Sequence, residues 1–458
     1  MAYSTHSKKM EIETVAIYNE ADRQTAFVKN ADEAIFLDGD GLNETYLNIE
    51  KIIAAAKKTG ADAIHPGYGF LSENPLFVTA CEKANIIFIG PGASAIQAMG
   101  NKIQARATAT KAGVPVTPGI TGSVEDLFKN YKDVGFPILI KAAAGGGGKG
   151  MRVVNNESEY QSALEATARE AKSYFGDETV YIEKYIDKPR HIEVQILGDQ
   201  HDNVIHLYER ECSLQRRHQK IIEEAPSPTL SENVRRQICE AAVALAKSIG
   251  YYSAGTMEFL VDELQQFYFL EMNTRIQVEH PVTELTTGID IVEQQINIAN
   301  GNPLSIQQKD IRQNGHAIEC RIYAEDPGQH FLPSPGLLSY YEEPLFEASS
   351  PQTNMLSPVA TGRIDSMQLQ TGDVISGDFD PMISKLIVWN KDRETARQSM
   401  LSALGQYHIK GIKTNLEFLI GLLSHPDYIN NNISTKYIDT NLEEIIHFIQ
   451  TKKRKRIT

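Results

Sequence analysis

Hydrophobic and polar positions follow two rhythms along this chain. Over residues 12–95, short apolar runs at 14–18, 34–37, 61–65 and 86–89 alternate with stretches of helical spacing, clearest at 47–59 and 75–84. Buried strands separated by helices predict a parallel sheet, and Gly90-Pro91-Gly92 closes the block. Residues 96–113 and 123–133 carry helical spacing around a turn-rich stretch at 113–122. A strand at 136–141 runs into a glycine tract and leaves through a second strand at 151–154. A helix is expected at 158–174, then strands at 180–185 and 191–197. Ser231 stands where a helix cap belongs, the helix runs to Ile249, and Gly250 follows it. Strands at 255–261 and 266–273 come next. After a Pro/Gly-rich boundary at 327–336 the pattern is richer in strand, with helical stretches near 393–405 and 413–423.

The segment 269–284 holds the densest chemistry. Glu271, Asn273, Arg275, Gln277 and Glu279 fall at every second position, and Met272, Thr274, Ile276 and Val278 fill the gaps. In an extended chain alternate side chains point the same way. One edge would then carry carboxylates, amides and a guanidinium, and the other would pack on a core. A solvated strand edge has the same pattern. The preceding Phe267-Tyr268-Phe269-Leu270 favours a buried strand instead, and polar groups at its end are costly unless they bind something.

Residues 141–151, Lys-Ala-Ala-Ala-Gly-Gly-Gly-Gly-Lys-Gly-Met, match a dinucleotide fingerprint only superficially, because a strand follows rather than a helix. Strand–glycines–strand is a hairpin flap whose backbone N–H groups can cover phosphates, and Lys141 can reach the same phosphates. The alternative is a plain linker. Glu258, Glu271 and Asn273 are oxygen donors on two successive strands and suit magnesium; exposed, unpaired acids are the other reading. Residues 206–226 carry Glu209, Arg210, Glu211, Gln215, Arg216, Arg217, His218, Gln219, Lys220, Glu223 and Glu224, either an anion-binding wall or an ordinary surface loop.

Composition narrows the function classes. The 458 residues suggest several subdomains. A formal net charge of −14, from 45 Lys plus Arg against 59 Asp plus Glu, argues against non-specific nucleic-acid binding. No apolar run approaches the roughly 20 residues of a membrane span, and residues 1–10 lack a secretory signal, so a cytoplasmic location is expected. Cys81, Cys212, Cys239 and Cys320 are scattered and read as reduced thiols, neither a zinc site nor a disulfide framework.

The stretches 141–152, 209–226 and 271–284, together with His-Pro-Gly-Tyr-Gly-Phe-Leu-Ser-Glu-Asn at 65–74, resemble the biotin carboxylase branch of the ATP-grasp enzymes over about residues 12–445. That resemblance implies an α/β and α+β chain: a Rossmann-like N-terminal domain over 1–95, an ATP-grasp domain over 96–310 with a mobile lid at about 115–185, and a β-rich C-terminal domain over 311–458. It implies that ATP, bicarbonate and carrier-bound biotin give carboxybiotin, the first half-reaction of an acetyl-CoA or other acyl-CoA carboxylase. ATP would meet Lys102, Lys141, the flap glycines Gly147 and Gly148, Glu183, Lys184, Ile186, His191, Gln215 and His218. Magnesium or manganese would be held by Glu258, Glu271 and Asn273. Lys220, Arg275, Gln277 and Val278 would surround bicarbonate, Glu279 would deprotonate it, and Arg363 would stabilise the biotin enolate. A biotin carboxyl carrier protein and carboxyltransferase subunits are the implied partners, and a homodimer is typical of the family. The chain departs from the family pattern at its start, where the first βα unit, which in the family also contributes to that dimer interface, is expected to be missing. Two other readings follow, a shortened and weakly active or inactive relative that binds nucleotide or partners, and another carboxylate–amine ligase on the same fold.

Overall fold

A computed structural model describes residues 10–143, 150–346, 361–377 and 380–457. Strand β1 (Val15–Tyr18) pairs in parallel with β2 (Glu33–Phe36), and β3 (Ala63–Ile64) with β4 (Ile87–Phe88). The expected single parallel sheet is therefore two separate pairs, which share one apolar cluster with the helices Ile49–Thr59 and Pro75–Lys83. Asn48 and Asn74 cap those helices with their side chains. The helix expected at 96–113 is broken into Ala93–Gly100 and Lys102–Lys111. Asn101 explains the break: its backbone is extended and its side chain accepts from the Gln104 N–H at 3.0 Å, starting a new helix.

Residues 119–184 form a small unit with its own core. Strands β5 (Gly119–Thr121), β6 (Ile138–Ala142), β7 (Met151–Val154) and β8 (Val180–Lys184) make a four-stranded sheet in the order β5-β8-β6-β7. The helix Glu157–Phe175 covers it, burying Tyr160, Leu164, Ala168 and Ala171 against Ile138, Ile140 and Ile182.

The body is an eight-stranded sheet. Its strands are β9 (Arg190–Gly198), β10 (Val204–Arg216), β11 (Gln219–Ala225), β12 (Ser253–Val261), β13 (Phe267–Asn273), β14 (His316–Tyr323), β15 (Thr361–Ser366) and β16 (Met382–Asn390), in the order β13-β12-β9-β10-β11-β14-β16-β15. Residues 206–226 are thus mostly two buried strands, not a surface loop. Sheet pairing also crosses residue 310: β11 bonds to β14, so the C-terminal third continues the central sheet. That third is more helical than expected, because a helical stretch Tyr437–Ile457, kinked at Asn441, follows Arg393–Gln406 and Leu416–Leu423. Ser231 occupies the N-cap of Glu232–Ser248, but its side chain makes no capping bond. The four cysteines are free and buried. Among the described residues no helix is long and apolar enough to cross a membrane.

Candidate active site

Strand β9 is buried on both faces. Ile192, Val194 and Ile196 pack on the helix Glu232–Ser248, which leaves His191, Glu193 and Gln195 to the opposite face. On β12, Met257, Phe259 and Val261 join the same core, so Thr256 and Glu258 face with Glu193. Strand β13 reaches that face through a bulge. Phe269 pairs with Phe259, but Glu271 pairs with Glu258, so Leu270 is an extra residue. The phase of alternation flips there: Phe269 and Met272 both lie in the core, and Glu271 and Asn273 turn to the site. The expected single extended edge from 269 to 279 is corrected accordingly. The strand also ends at Asn273, and Arg275 to Glu279 form a turn into the helix His280–Thr287. The solvated-edge alternative falls as well, since Asn273, Gln277 and Glu279 are buried.

Register places Glu193, Glu258 and Glu271 in one row across three neighbouring strands. Two buried carboxylates and a half-buried third repel unless cations lie among them. Lys220 from β11 supplies one: its ammonium is paired with Glu193, lies 3.0 Å from Glu258 Oε1, and lies 2.7 Å from Glu279 Oε1. Burial alone would lower the Lys220 pKa, but Glu193, Glu258 and Glu279 hold it well above the ordinary lysine value. Arg210, fully buried, donates to Glu193 at 3.1 Å, Gln195 at 2.9 Å and Thr256 at 3.0 Å. His191 Nε2 lies 3.1 Å from Glu258, and its Nδ1 lies 2.9 Å from the Gln215 amide. Burial disfavours a charged His191, yet Glu258 and Glu193 outweigh it and raise its pKa to about 9. Glu258 is held below the carboxylate range, because Lys220 and His191 overcome its burial.

Glu279 precedes the helix His280–Thr287, fully buried, with Lys220 on one oxygen and Arg321 on the other at 2.8 Å. Burial and the Glu193 charge push its pKa up, but Lys220, Arg321 and Arg210 outweigh them and lower it. It is therefore an ionised acceptor at neutral pH. Beside it, Arg275 donates from Nη2 to Asn273 Oδ1 at 3.0 Å and from Nη1 to Gln277 Oε1 at 3.2 Å. Asn273 and Gln277 in turn donate to Glu258 at 2.8 and 3.2 Å.

Two further groups flank this centre. Glu271 is raised by its burial and by the Glu258 charge, against Lys102, Lys141 and Lys220. Lys102 begins the helix Lys102–Lys111. Lys141 Nζ is 2.9 Å from Glu183, which also accepts from Arg106 at 2.9 Å and Thr117 at 2.7 Å. On the other flank Arg363 donates to Glu284 at 2.5 Å and Asp365 at 2.7 Å, and Lys385 links Asp365 at 3.1 Å to the Val278 carbonyl at 2.6 Å.

Not every expected residue joins these groups. Gly147 and Gly148 lie outside the described residues. His218 is exposed in the turn between β10 and β11, with φ +65°. Lys184 bonds to the Gly135 and Phe136 carbonyls at 3.2 and 2.7 Å, and Ile186 lies just beyond β8. In the 206–226 cluster, Glu209 is committed to Arg235, Glu211 to Arg190, Glu224 to Arg393 and Arg216 to Glu325, so the anion-wall reading narrows to Gln215 and Lys220. Sequence reasoning missed Glu193, Arg321, Lys385, Arg106 and Glu73 as site neighbours. Glu193 could have been found from its period-two relation to His191. Glu73 lies within the 65–74 stretch that carries the resemblance, though no spacing ties it to Arg275; Arg321, Lys385 and Arg106 come from distant segments and carried no local signal.

Models of three families cover most of the chain: "Biotin carboxylase, N-terminal domain" over residues 3–96, "Carbamoyl-phosphate synthase L chain, ATP binding domain" over 101–307, and "Biotin carboxylase C-terminal domain" over 319–440. Biotin carboxylase 2 of Bacillus subtilis is 48% identical over 95% of this chain and 95% of its own length. The chain belongs to the biotin carboxylase family. It has the family's ATP-grasp fold: the biotin carboxylase domain of the Hydrogenobacter thermophilus 2-oxoglutarate carboxylase, a dimer solved with MgADP, ADP and bicarbonate, superposes with a TM-score of 0.90 at 45% identity, covering 98% of this chain and 95% of that one. The propionyl-CoA carboxylase alpha chain of Ruegeria pomeroyi is 49% identical over 94% of this chain, which spans only 65% of that protein's length.

Proposed function

We propose that this chain carboxylates biotin on a carrier protein, using ATP and bicarbonate by way of carboxyphosphate, as the first half-reaction of an acyl-CoA carboxylase. The observation that carries this reading is the convergence at one end of the central sheet. Glu258 and Glu271 lie with Lys102 and Lys141 near them, and Lys220, Arg275, Gln277 and Glu279 lie alongside. Lys102 and Lys141 bind the ATP phosphates. Glu183, with Arg106 and Thr117, fixes where Lys141 starts from. The crowded, like-charged pair Glu258 and Glu271 with the Asn273 amide fits a divalent cation in donor type. Glu258, Glu271 and Asn273 would hold magnesium, which would supply positive charge to the transferring phosphoryl group.

Arg275, Gln277 and Lys220 bind bicarbonate, each charge-assisted bond contributing about 1.5–3 kcal/mol. Glu279, ionised at neutral pH, takes its proton and makes it a better nucleophile towards the γ-phosphate. The unit over residues 119–184 closes as a lid and keeps water from the carboxyphosphate. Arg363, held ready by Glu284 and Asp365, stabilises the biotin enolate. A biotin carrier and a carboxyltransferase are the expected partners, and the dimer of the Hydrogenobacter thermophilus domain supports a homodimer here. Support for an acyl-CoA complex comes from the propionyl-CoA carboxylase alpha chain at 49% identity.

The test incubates the full chain with MgATP and bicarbonate and follows phosphate release with and without free biotin. Release that rises with biotin supports the proposal. ATP binding without any such turnover would leave the inactive nucleotide-binding relative. Stimulation by an amine or amino acid in place of biotin would point to the other ligase.

A further inference from the structure

Arg275 is gripped from outside the central sheet. Its Nε donates at 3.0 Å to Glu73 Oε2, and Glu73 Oε1 accepts from the Thr274 N–H at 2.9 Å and from its hydroxyl at 3.2 Å. Glu73 belongs to the loop between β3 and the helix Pro75–Lys83. Local structure fixes that loop: Leu71 and Ser72 are buried just before it, and Asn74 just after it caps the helix, accepting from Leu76 and Phe77 N–H at 2.9 and 3.3 Å. The Glu73 carboxylate is therefore presented at a defined place, although 39% of its side chain is exposed.

A guanidinium is a rigid, planar fork. With Nε committed to Glu73, its terminal nitrogens point to Asn273 and Gln277, whose amides both reach Glu258. Glu73 thereby selects the face of Arg275 turned into the site. From this geometry we infer that Glu73 is a positioning residue, which orients the Arg275 guanidinium for bicarbonate from a different segment of the fold. This rests on the biotin carboxylase reading. Glu73 touches neither nucleotide-side lysine, so its effect belongs to bicarbonate and not to ATP.

Glu73→Gln separates this role from that of a simple strap. The amide oxygen can still accept from Thr274, while the amide NH2 opposes the Arg275 Nε–H. The probe is 13C-labelled bicarbonate, titrated by NMR into the full chain holding MgADP, with turnover measured in parallel. The expected result is about tenfold weaker bicarbonate binding in Glu73→Gln, from the loss of one oriented charge-assisted contact. ADP affinity and melting temperature stay at the wild-type values, and in turnover the KM for bicarbonate rises while that for ATP does not. Equal bicarbonate affinity in the two proteins overturns the inference. A parallel loss of ADP affinity and melting temperature also overturns it, since a strap alone would do that. Absence of bicarbonate binding by the wild type overturns it too. Wild-type bicarbonate binding without biotin-dependent turnover sinks the functional reading instead, and the binding comparison still decides the role of Glu73.

Discussion

Glu279 shows how much a side chain's chemistry depends on its neighbours. A buried carboxylate ordinarily stays protonated, yet Lys220 and Arg321, one on each oxygen, keep this one ionised. Glu279→Gln keeps the shape and removes the proton acceptor. ATP binding is expected to persist, and bicarbonate-dependent turnover to fall by about 10²–10⁴-fold. Steady-state phosphate release with a nucleotide-binding control checks this, and near-normal turnover would remove Glu279 as the base. The residue types of this centre were legible in the chain: Glu258, Glu271, Asn273, Arg275, Gln277 and Glu279 were singled out by type and spacing alone. Glu193 was passed over although it stands two residues from His191 on one strand face, and Arg321 and Lys385 carry no local mark, because their only claim on the site is the neighbour that the fold gives them.

At the scale of elements, alternation predicted the strands well, and its phase failed at one point. A strict period of two from Phe269 would put that ring on the same edge as Glu271. The bulge at Leu270 separates them. No residue type announces a bulge there; it follows from matching β13 to β12, a long-range fit that local spacing does not encode. The same tight pairing predicts a cost at Gly198, which ends β9 between partners on both sides, Val204 and Ser253. A Cβ there would stand 2.4 Å from the Tyr251 carbonyl oxygen, which is backbone and cannot swing away. Gly198→Ala is expected to destabilise the fold by about 1–3 kcal/mol through overpacking. A urea melt that matches the wild type would show that the strand ends yield more easily than this packing implies.

Across the whole molecule, the central sheet joins segments that the sequence presents as separate parts. Glu224 on β11 marks the seam: it accepts from His316 on β14 at 2.8 Å, and from Arg393, which starts the helix Arg393–Gln406, at 2.7 and 3.1 Å. Burial would raise its pKa, but the His316 bond and Arg393 outweigh that and lower it to about 2. A depressed carboxylate pKa contributes stability above the unfolded value near 4.5, and that contribution is lost as pH falls through about 2. Glu224→Gln is therefore expected to lose about 2–4 kcal/mol at neutral pH, because Arg393 is left without its charge partner. The gap between the two proteins should narrow below pH 4.5. Melting temperatures from pH 7 to pH 3 test this, and a gap independent of pH would mean that the charge of Glu224 plays no part.

The amino-acid sequence by itself determined many of the strands and helices, where the glycine tract and the acidic, amide and guanidinium groups fall, and through motif order which family the chain resembles. These are local properties, set by side-chain periodicity and type. The tertiary structure alone decided that Glu193, Glu258 and Glu271 form one row. It also decided that Lys220 and Arg210 arrive from other strands to neutralise that row, that Arg321 meets Glu279, that Glu73 reaches Arg275 from residues far earlier in the chain, and that the sheet runs on past residue 310. Burying that many carboxylates together is tolerable only where cations from distant segments meet them, and strand register, which no single segment specifies, brings them there.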